Sequence, residues 1–201
     1  DLADIFCTTS EGVRADRAVD WKLIDGHAKP QQFPQLVASE VDALRQQSSR
    51  SGPEQGIELV PVGGTIDEQG YHYGVVDAQV DRNTRIATIT VQAPAQAIES
   101  TPDAIVAAGT NWWPLKFARE LDDAILNLRT NELEVGTWVI KTRGNADLVL
   151  QADAVLEQLK DHWLVRETLG ALRRTLARLD VTSRWLIALV DEGSGFAGTF
   201  F

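Results

Sequence analysis

The sequence predicts an α/β fold with parallel strands and helices packed outside the sheet, and two observations carry that prediction. Residues 75–80 and 85–91 are β-branched runs separated by the turn formers Asp81 to Thr84, which is the pattern of a hairpin. After the hairpin, helical and strand-like segments alternate to the end of the chain.

The elements follow in order. Residues 11–24 carry Val13, Ala15, Ala18, Val19 and Leu23. Residues 33–44 carry Phe33, Leu36, Val37, Val41 and Leu44 at three- and four-residue steps. Both segments are expected to be helices, separated at Asp25 to Pro30 because a proline cannot continue the first one. From Gln46 to Gly70 the composition shifts to Ser, Gly and Pro and helical periodicity disappears, with only residues 57–62 suited to a short edge strand. The expected organisation is therefore a helical part at 1–47, a linker at 48–70 and a second module at 71–201.

In that module Pro94 ends the second hairpin strand. Residues 116–128 place Phe117, Leu121, Ala124, Ile125 and Leu128 on one helical face after Pro114. Residues 136–141 form a short strand between glycines. Residues 152–179 read as mainly helical, with a stripe through Val165, Leu169, Leu172, Leu176 and Leu179. Residues 184–190 read as a buried strand, followed by a glycine loop and, at Thr199, the start of a further element.

A chain of 201 residues with 44% hydrophobic content has enough material for one ordinary domain or two half-domains, and a largely disordered chain is not expected. No apolar run approaches the ~20 residues that a bilayer span needs. The net charge of −10 opposes non-specific nucleic-acid binding, which requires basic surface. One cysteine, Cys7, rules out an internal disulfide framework and fits a reducing cytoplasm. The chain has no Met and begins without a signal or transit sequence, so it is expected to be an internal piece of a longer polypeptide.

Chemistry-bearing residues are scattered. His27, His72 and His162 have no second ligand at metal spacing, and there is no P-loop and no GxGxxG. His162 suits a helix surface or packing role better than a site, and Cys7, lacking a local base, suits a buried structural thiol. Arg166, Arg173, Arg174, Arg178 and Arg184 form a basic stretch, either a solvated helix face paired with Glu167 and Asp180 or a seat for phosphates. Glu120, Asp122 and Asp123 cluster at a helix start. Asp191 and Glu192 sit at the carboxyl end of a strand, where open α/β sheets bind ligands. Trp112 and Trp113 could stack a ligand ring, but aromatics before a helix more often anchor it to a core or a partner subunit.

Two stretches read together resemble the crotonase, or enoyl-CoA hydratase, superfamily. Residues 7–45 resemble the C-terminal end of one such module, with Gly12 to Ala18 leading into Trp21 to Asp25. Residues 75–201 resemble the beginning of another, in which residues 76–82 and 86–91 match the opening hairpin and residues 136–141 match the strand before the first oxyanion loop. The strings at residues 4–7, 111–118, 160–163, 173–180 and 196–198 are similar to the benzoyl-CoA dihydrodiol lyase family, also called 2,3-epoxybenzoyl-CoA dihydrolase.

That resemblance implies a cofactor-free hydrolytic opening of the ring of 2,3-epoxybenzoyl-CoA to 3,4-dehydroadipyl-CoA semialdehyde and formate. The thioester carbonyl would lie between two backbone N–H groups, with a pair of glutamates handling water and protons. Those glutamates belong to the first module and would lie before Asp1. In the second module the candidate oxyanion loop is Gly193, Ser194, Gly195, Phe196, Ala197 and Gly198. Two departures from the family pattern stand out: Gln151 in the string Leu150 to Asp153, where the first oxyanion loop has glycine, and Gly195, where family members usually have cysteine. A second module that is structural or forms subunit contacts is therefore expected. The implied partners are an acyl-CoA substrate and further copies of the chain, with a dimer expected. A generic enoyl-CoA hydratase or isomerase and a non-catalytic oligomerisation module remain the alternatives.

Overall fold

Backbone chemistry at single residues decides where the N-terminal helices stop. The computed structural model describes residues 2–48 and 56–200, and the chain divides into two units, Asp1–Gln55 and Gly56–Phe201. In the first unit, helices α1 (Leu2–Thr8), α2 (Ala15–Asp20) and α3 (Phe33–Gln47) form. The helix expected over 11–24 shrinks to α2. Gly12 before it has φ +74°, and Lys22 after it has φ +57°. Lys22 N–H donates to the Val19 carbonyl and Leu23 N–H to the Ala18 carbonyl, the paired bonds of a left-handed helix stop, here built on lysine where glycine is usual. Helix α3 forms over the expected stretch, but Phe33, Val37, Val41 and Leu44 are exposed within this unit. Cys7, expected to be buried, is exposed on α1.

In the second unit a six-stranded sheet runs in sequence order: β1 (Thr65–Asp67), β2 (Gly70–His72), β3 (Val76–Asp81), β4 (Ile86–Gln92), β5 (Thr137–Arg143) and β6 (Trp185–Ala188). The first four strands are antiparallel neighbours, and β4, β5 and β6 are parallel. The expected hairpin forms in register Val76↔Val91 to Asp81↔Ile86, its turn closed by Asp81 Oδ1 accepting the N–H groups of Asn83 and Thr84. Residues 57–62 are irregular, and the edge strand forms at β1 instead. Parallel pairing requires crossovers. Helices α4 (Pro102–Ala108) and α5 (Trp113–Asn131) supply the first, and α6 (Ala146–Gln158) and α7 (Trp163–Asp180) the second.

The core lies between the sheet and α5, where Ala78, Ile89, Val91, Phe117, Ile125 and Leu128 are buried. Each large side chain there contributes roughly 1.5–3 kcal/mol by leaving water. Glu120, on the core side of α5, accepts the N–H groups of Val75 and Val76 at 2.6 and 3.1 Å and so ties that helix to the start of β3. A carboxylate in this position satisfies two amides that no strand partner reaches.

Two further expectations are corrected. The helix over 152–179 is broken at residues 159–162, where His162 is extended (φ −68°, ψ 132°) ahead of α7, and the first half starts earlier, at Ala146. Strand β6 is exposed along its whole length, because no described element covers its outer edge. Trp185 is 79% and Val190, just beyond the strand, 70% exposed.

Candidate functional site

The carboxyl ends of β5 and β6 meet the glycine loop, and the side chains there hold the loop rather than leave it open. Lys141 and Arg143 project two residues apart from β5. Arg143 forks onto both oxygens of Asp191, which follows β6, and Lys141 Nζ lies 3.3 Å from Asp191 Oδ2. The Arg143 guanidinium, with Ser194 Oγ and Lys141, holds the Asp191 carboxyl far below the usual carboxylate range against the opposing effect of desolvation. Ser194 in turn donates to Asp191 Oδ1 at 3.0 Å, accepts the Asp191 N–H at 2.9 Å and donates its own N–H to the Asp191 carbonyl.

Backbone contacts fix the rest of the loop. Gly144 N–H donates to the Gly193 carbonyl at 3.3 Å, and Gly195 N–H donates to the buried Thr142 Oγ1 at 3.1 Å. Gly144 itself has φ +112°, and a Cβ there would come within 2.8 Å of the Ala93 methyl, so glycine alone lets β5 turn at this point. The amides of Ser194 and Gly195 are therefore engaged inside the protein. An oxyanion loop needs such donors free and aimed at the reacting oxygen.

The far end of the loop is held by α6. Asp153 accepts the Thr199 N–H at 2.7 Å through Oδ2 and the Thr199 hydroxyl through Oδ1. Gly198, at φ +48°, passes so close to this carboxylate that any Cβ would collide with Asp153 Oδ2. Phe196 and Ala197 complete the loop between these anchors, Phe196 against the core.

The stretch Leu150 to Asp153, which stands where the first oxyanion loop ends in the crotonase pattern and departs from it at Gln151, lies inside α6. Its N–H groups are directed to carbonyls four residues back, as the helix requires, and present nothing to a ligand. Gln151 is exposed on that helix. The helix is well started: Asn145 Oδ1 accepts the Asp147 N–H at 2.8 Å as its N-cap.

Beside the loop, a cavity of about 300 Å³ opens between the parallel strands and helices α5 and α7. Its lining includes Phe117, Ile140, Leu176, Phe196 and Phe200, with the hydroxyl residues Thr142 and Thr199. Among the described residues no titratable side chain lines it. Such a cavity can receive apolar groups, but it supplies no acid or base for proton transfer.

The remaining candidates serve structure. Asp122 Oδ1 accepts from Arg178 Nε at 2.6 Å, and Asp123 accepts the Tyr73 hydroxyl at 2.7 Å; burial, followed by the hydrogen bond with Asp123, pushes the Tyr73 hydroxyl's pKa well up. Arg178 thus pairs across to α5 instead of with Asp180, while Arg166 lies 3.7 Å from Glu167. Arg184 donates to the Thr182 carbonyl, and Arg173 and Arg174 are exposed. Trp112 is fully buried, with its indole N–H on the Glu99 carbonyl; Trp113 stacks on Phe117 and packs against Phe200. Trp112 therefore presents no face to a ligand, while the half-buried Trp113 is engaged with its aromatic neighbours. His27 pairs with Asp16, His162 packs on Trp163, and His72 lies 2.5 Å from Asp77 and 3.2 Å from Asp67. Among the described residues no three His, Cys, Asp or Glu side chains converge as a metal site needs. Nor is any described helix long and apolar enough to cross a membrane.

Sequence reasoning did not single out Thr142, Arg143 or Thr199. Their partners lie 53, 48 and 46 residues away, and no local pattern marks pairs brought together by parallel strands and a crossover.

No protein-family model matches the chain. Over 199 residues, 99% of its own length, the chain is 54% identical to the benzoyl-CoA-dihydrodiol lyase of Aromatoleum evansii, and it spans 36% of the length of that relative.

Proposed function

We propose that the chain is the central part of a benzoyl-CoA ring-opening lyase, joining the end of one crotonase-like module to the beginning of a second. The observation that carries this reading is the 54% identity over nearly the whole chain to a lyase of which it spans 36%. The mixed sheet suits the second module: an antiparallel hairpin leads into parallel strands joined by helical crossovers. Strand β6 then takes a further parallel strand from the same polypeptide, which would cover its exposed apolar residues.

The chemistry is the cofactor-free hydrolytic opening of 2,3-epoxybenzoyl-CoA to a semialdehyde of dehydroadipyl-CoA and formate. It proceeds in the first module on glutamates outside these residues. The second module serves as scaffold in a cytoplasmic dimer. Three features support that division: helical Leu150 to Asp153, the Gly195 amide engaged by Thr142, and a cavity lined by no titratable group among the described residues.

The test is turnover. A polypeptide extended upstream to include the whole first module is expected to open 2,3-epoxybenzoyl-CoA, and the 201-residue chain is expected not to. Turnover by the 201-residue chain would overturn the placement of catalysis. Equilibrium sedimentation of the extended polypeptide tests the dimer: a monomeric mass would remove it from the proposal.

A further inference from the structure

A smaller cavity, of about 100 Å³, opens in the groove between α5 and α7 and shares no lining residue with the apolar one. Short side chains, Ala118, Ala171 and Thr175, leave the groove open, and Arg119, Arg174 and Arg178 stand around it. Among the described residues the one carboxylate on its wall is Asp122, so three positive charges face one negative charge. On a chain of net charge −10 this excess is local, and it attracts anions where the rest of the surface repels them.

The guanidinium groups keep unused donors. Arg178 uses Nε on Asp122 Oδ1 and Arg119 uses Nη2 on the Val60 carbonyl, both at 2.6 Å, each from a set of five N–H groups. Among the described residues Arg174 makes no hydrogen bond or ion pair. Its guanidinium lies back along α7 over Gly170, where an added Cβ would stand 3.3 Å from Nη1. Glycine is unfavourable inside an 18-residue helix, yet here it leaves room for the charge. Below the arginines, Thr175 is 3% exposed, and its hydroxyl reaches the Ala118 carbonyl and Asp122 Oδ1 only at 3.4 Å. Both contacts are longer than the roughly 2.5–3.0 Å of a firm O–H···O bond, so the hydroxyl is able to turn to an incoming oxygen.

We propose that this groove is a phosphate seat, in which Arg119, Arg174 and Arg178 hold the oxygens of a single phosphoryl group, free or as a terminal monoester, and Thr175 donates from the floor. Guanidinium forks match phosphate oxygens in pairs, which favours a tetrahedral oxyanion over a halide. A space equal to about three waters at ~30 Å³ each holds one such group and leaves any ester substituent in solvent. Asp122 orients Arg178 and limits the positive excess. The seat does not rest on the lyase reading.

The test titrates inorganic phosphate into the 201-residue chain and follows the Arg178 Nε–H and Thr175 amide resonances. Phosphate is expected to shift both along a saturating curve with a millimolar midpoint and to raise the thermal midpoint; chloride at equal ionic strength is expected to do neither. Arg174→Ala, at an exposed position, is expected to weaken phosphate at least fivefold. Asp122→Asn, which removes the opposing charge and keeps an oxygen for Arg178, is expected to tighten it at least threefold. Should Arg174→Ala fail to fold, Arg174→Gln, which keeps much of the stem, carries the same measurement. Glycerol 3-phosphate separates the two sources: a midpoint within tenfold of phosphate assigns the seat to a terminal phosphoryl group, and a weaker one assigns it to free phosphate. Equal responses to phosphate and chloride, or a phosphate midpoint that neither substitution moves, would overturn the proposal.

Discussion

Residues 150–153 and 193–198 invite the same reading from sequence, backbone that cradles a thioester oxygen, yet they differ in every physical respect. The first is the interior of a capped helix, its amides already bonded and Gln151 facing solvent. The second is true loop, with glycines at positive φ and each end tied to a different partner. A helix tolerates most exchanges of an exposed residue, glycine and proline apart. A loop closed by Arg143, Thr142 and Asp153 depends on each contact. The contrast predicts that substitutions in the loop are costly and those in the helix mild.

The largest effect is expected at Gly198. Alanine there must adopt φ +48° and meet the Asp153 carboxylate, so strain and collision add; Gly198→Ala is expected to lose about 3 kcal/mol in urea unfolding. A loss below about 1 kcal/mol would mean that the loop relaxes freely and the contrast with α6 is shallow. Next comes Thr142→Val, which keeps the shape but removes the acceptor of the buried Gly195 N–H. An orphaned amide costs about 1–3 kcal/mol. The variant should also show much faster hydrogen exchange at Gly195. Slow exchange there would place the amide's true partner elsewhere.

At Gln151 the expected effects are smaller. Gln151→Ala should be close to neutral, and Gln151→Gly should cost about 1 kcal/mol, the ordinary penalty for glycine in an exposed helix interior. Placing there the glycine of the crotonase pattern should not create thioester binding, since the surrounding backbone remains helical. Micromolar affinity for benzoyl-CoA in Gln151→Gly would show that α6 unwinds readily into a loop, erasing the difference between the two regions.

How far these regions were legible beforehand follows from the range of the forces that shape them. The hairpin and α5 could be read because their signals are local: alternation at Val76, Ala78 and Val80, and a helical face from Phe117 to Leu128. Gly193 to Gly198 was visible as a loop for the same reason. The helical state of 150–153 was partly visible too, since the apolar pattern extends through it, but the start at Ala146 depends on the Asn145 cap. The exposure of β6 could not be read, because Trp185 to Ala188 is as apolar as a central strand and only its place at the edge leaves it uncovered. Asp153, Thr142 and Arg143 were illegible as loop anchors, since each acts on a residue more than forty positions away.

The smallest effects are the pH dependences of two solvent-accessible groups, one at the loop and one at the opposite edge of the sheet. Asp191 is held below the ordinary value of 3.8, chiefly by Arg143. Its stabilisation is present above that pH and is lost as pH falls below it through the folded value. His72 is held above 6.5, chiefly by its hydrogen bond with Asp77. Its stabilisation is complete below 6.5 and is lost as pH rises through the higher folded value. The thermal midpoint should therefore fall on the acid side through the loop and on the alkaline side through the β2–β3 contact. Asp191→Asn should flatten the acid limb alone; His72→Gln should flatten the alkaline limb and, because His72 also helps to hold Asp67 below 3.8, soften the acid limb slightly. These effects should shrink at high salt because the pairs are screened. If Asp191→Asn left the acid limb unchanged while still loosening the loop in hydrogen exchange, the Arg143 fork would hold the loop through its geometry and hydrogen bonds, not through its charge.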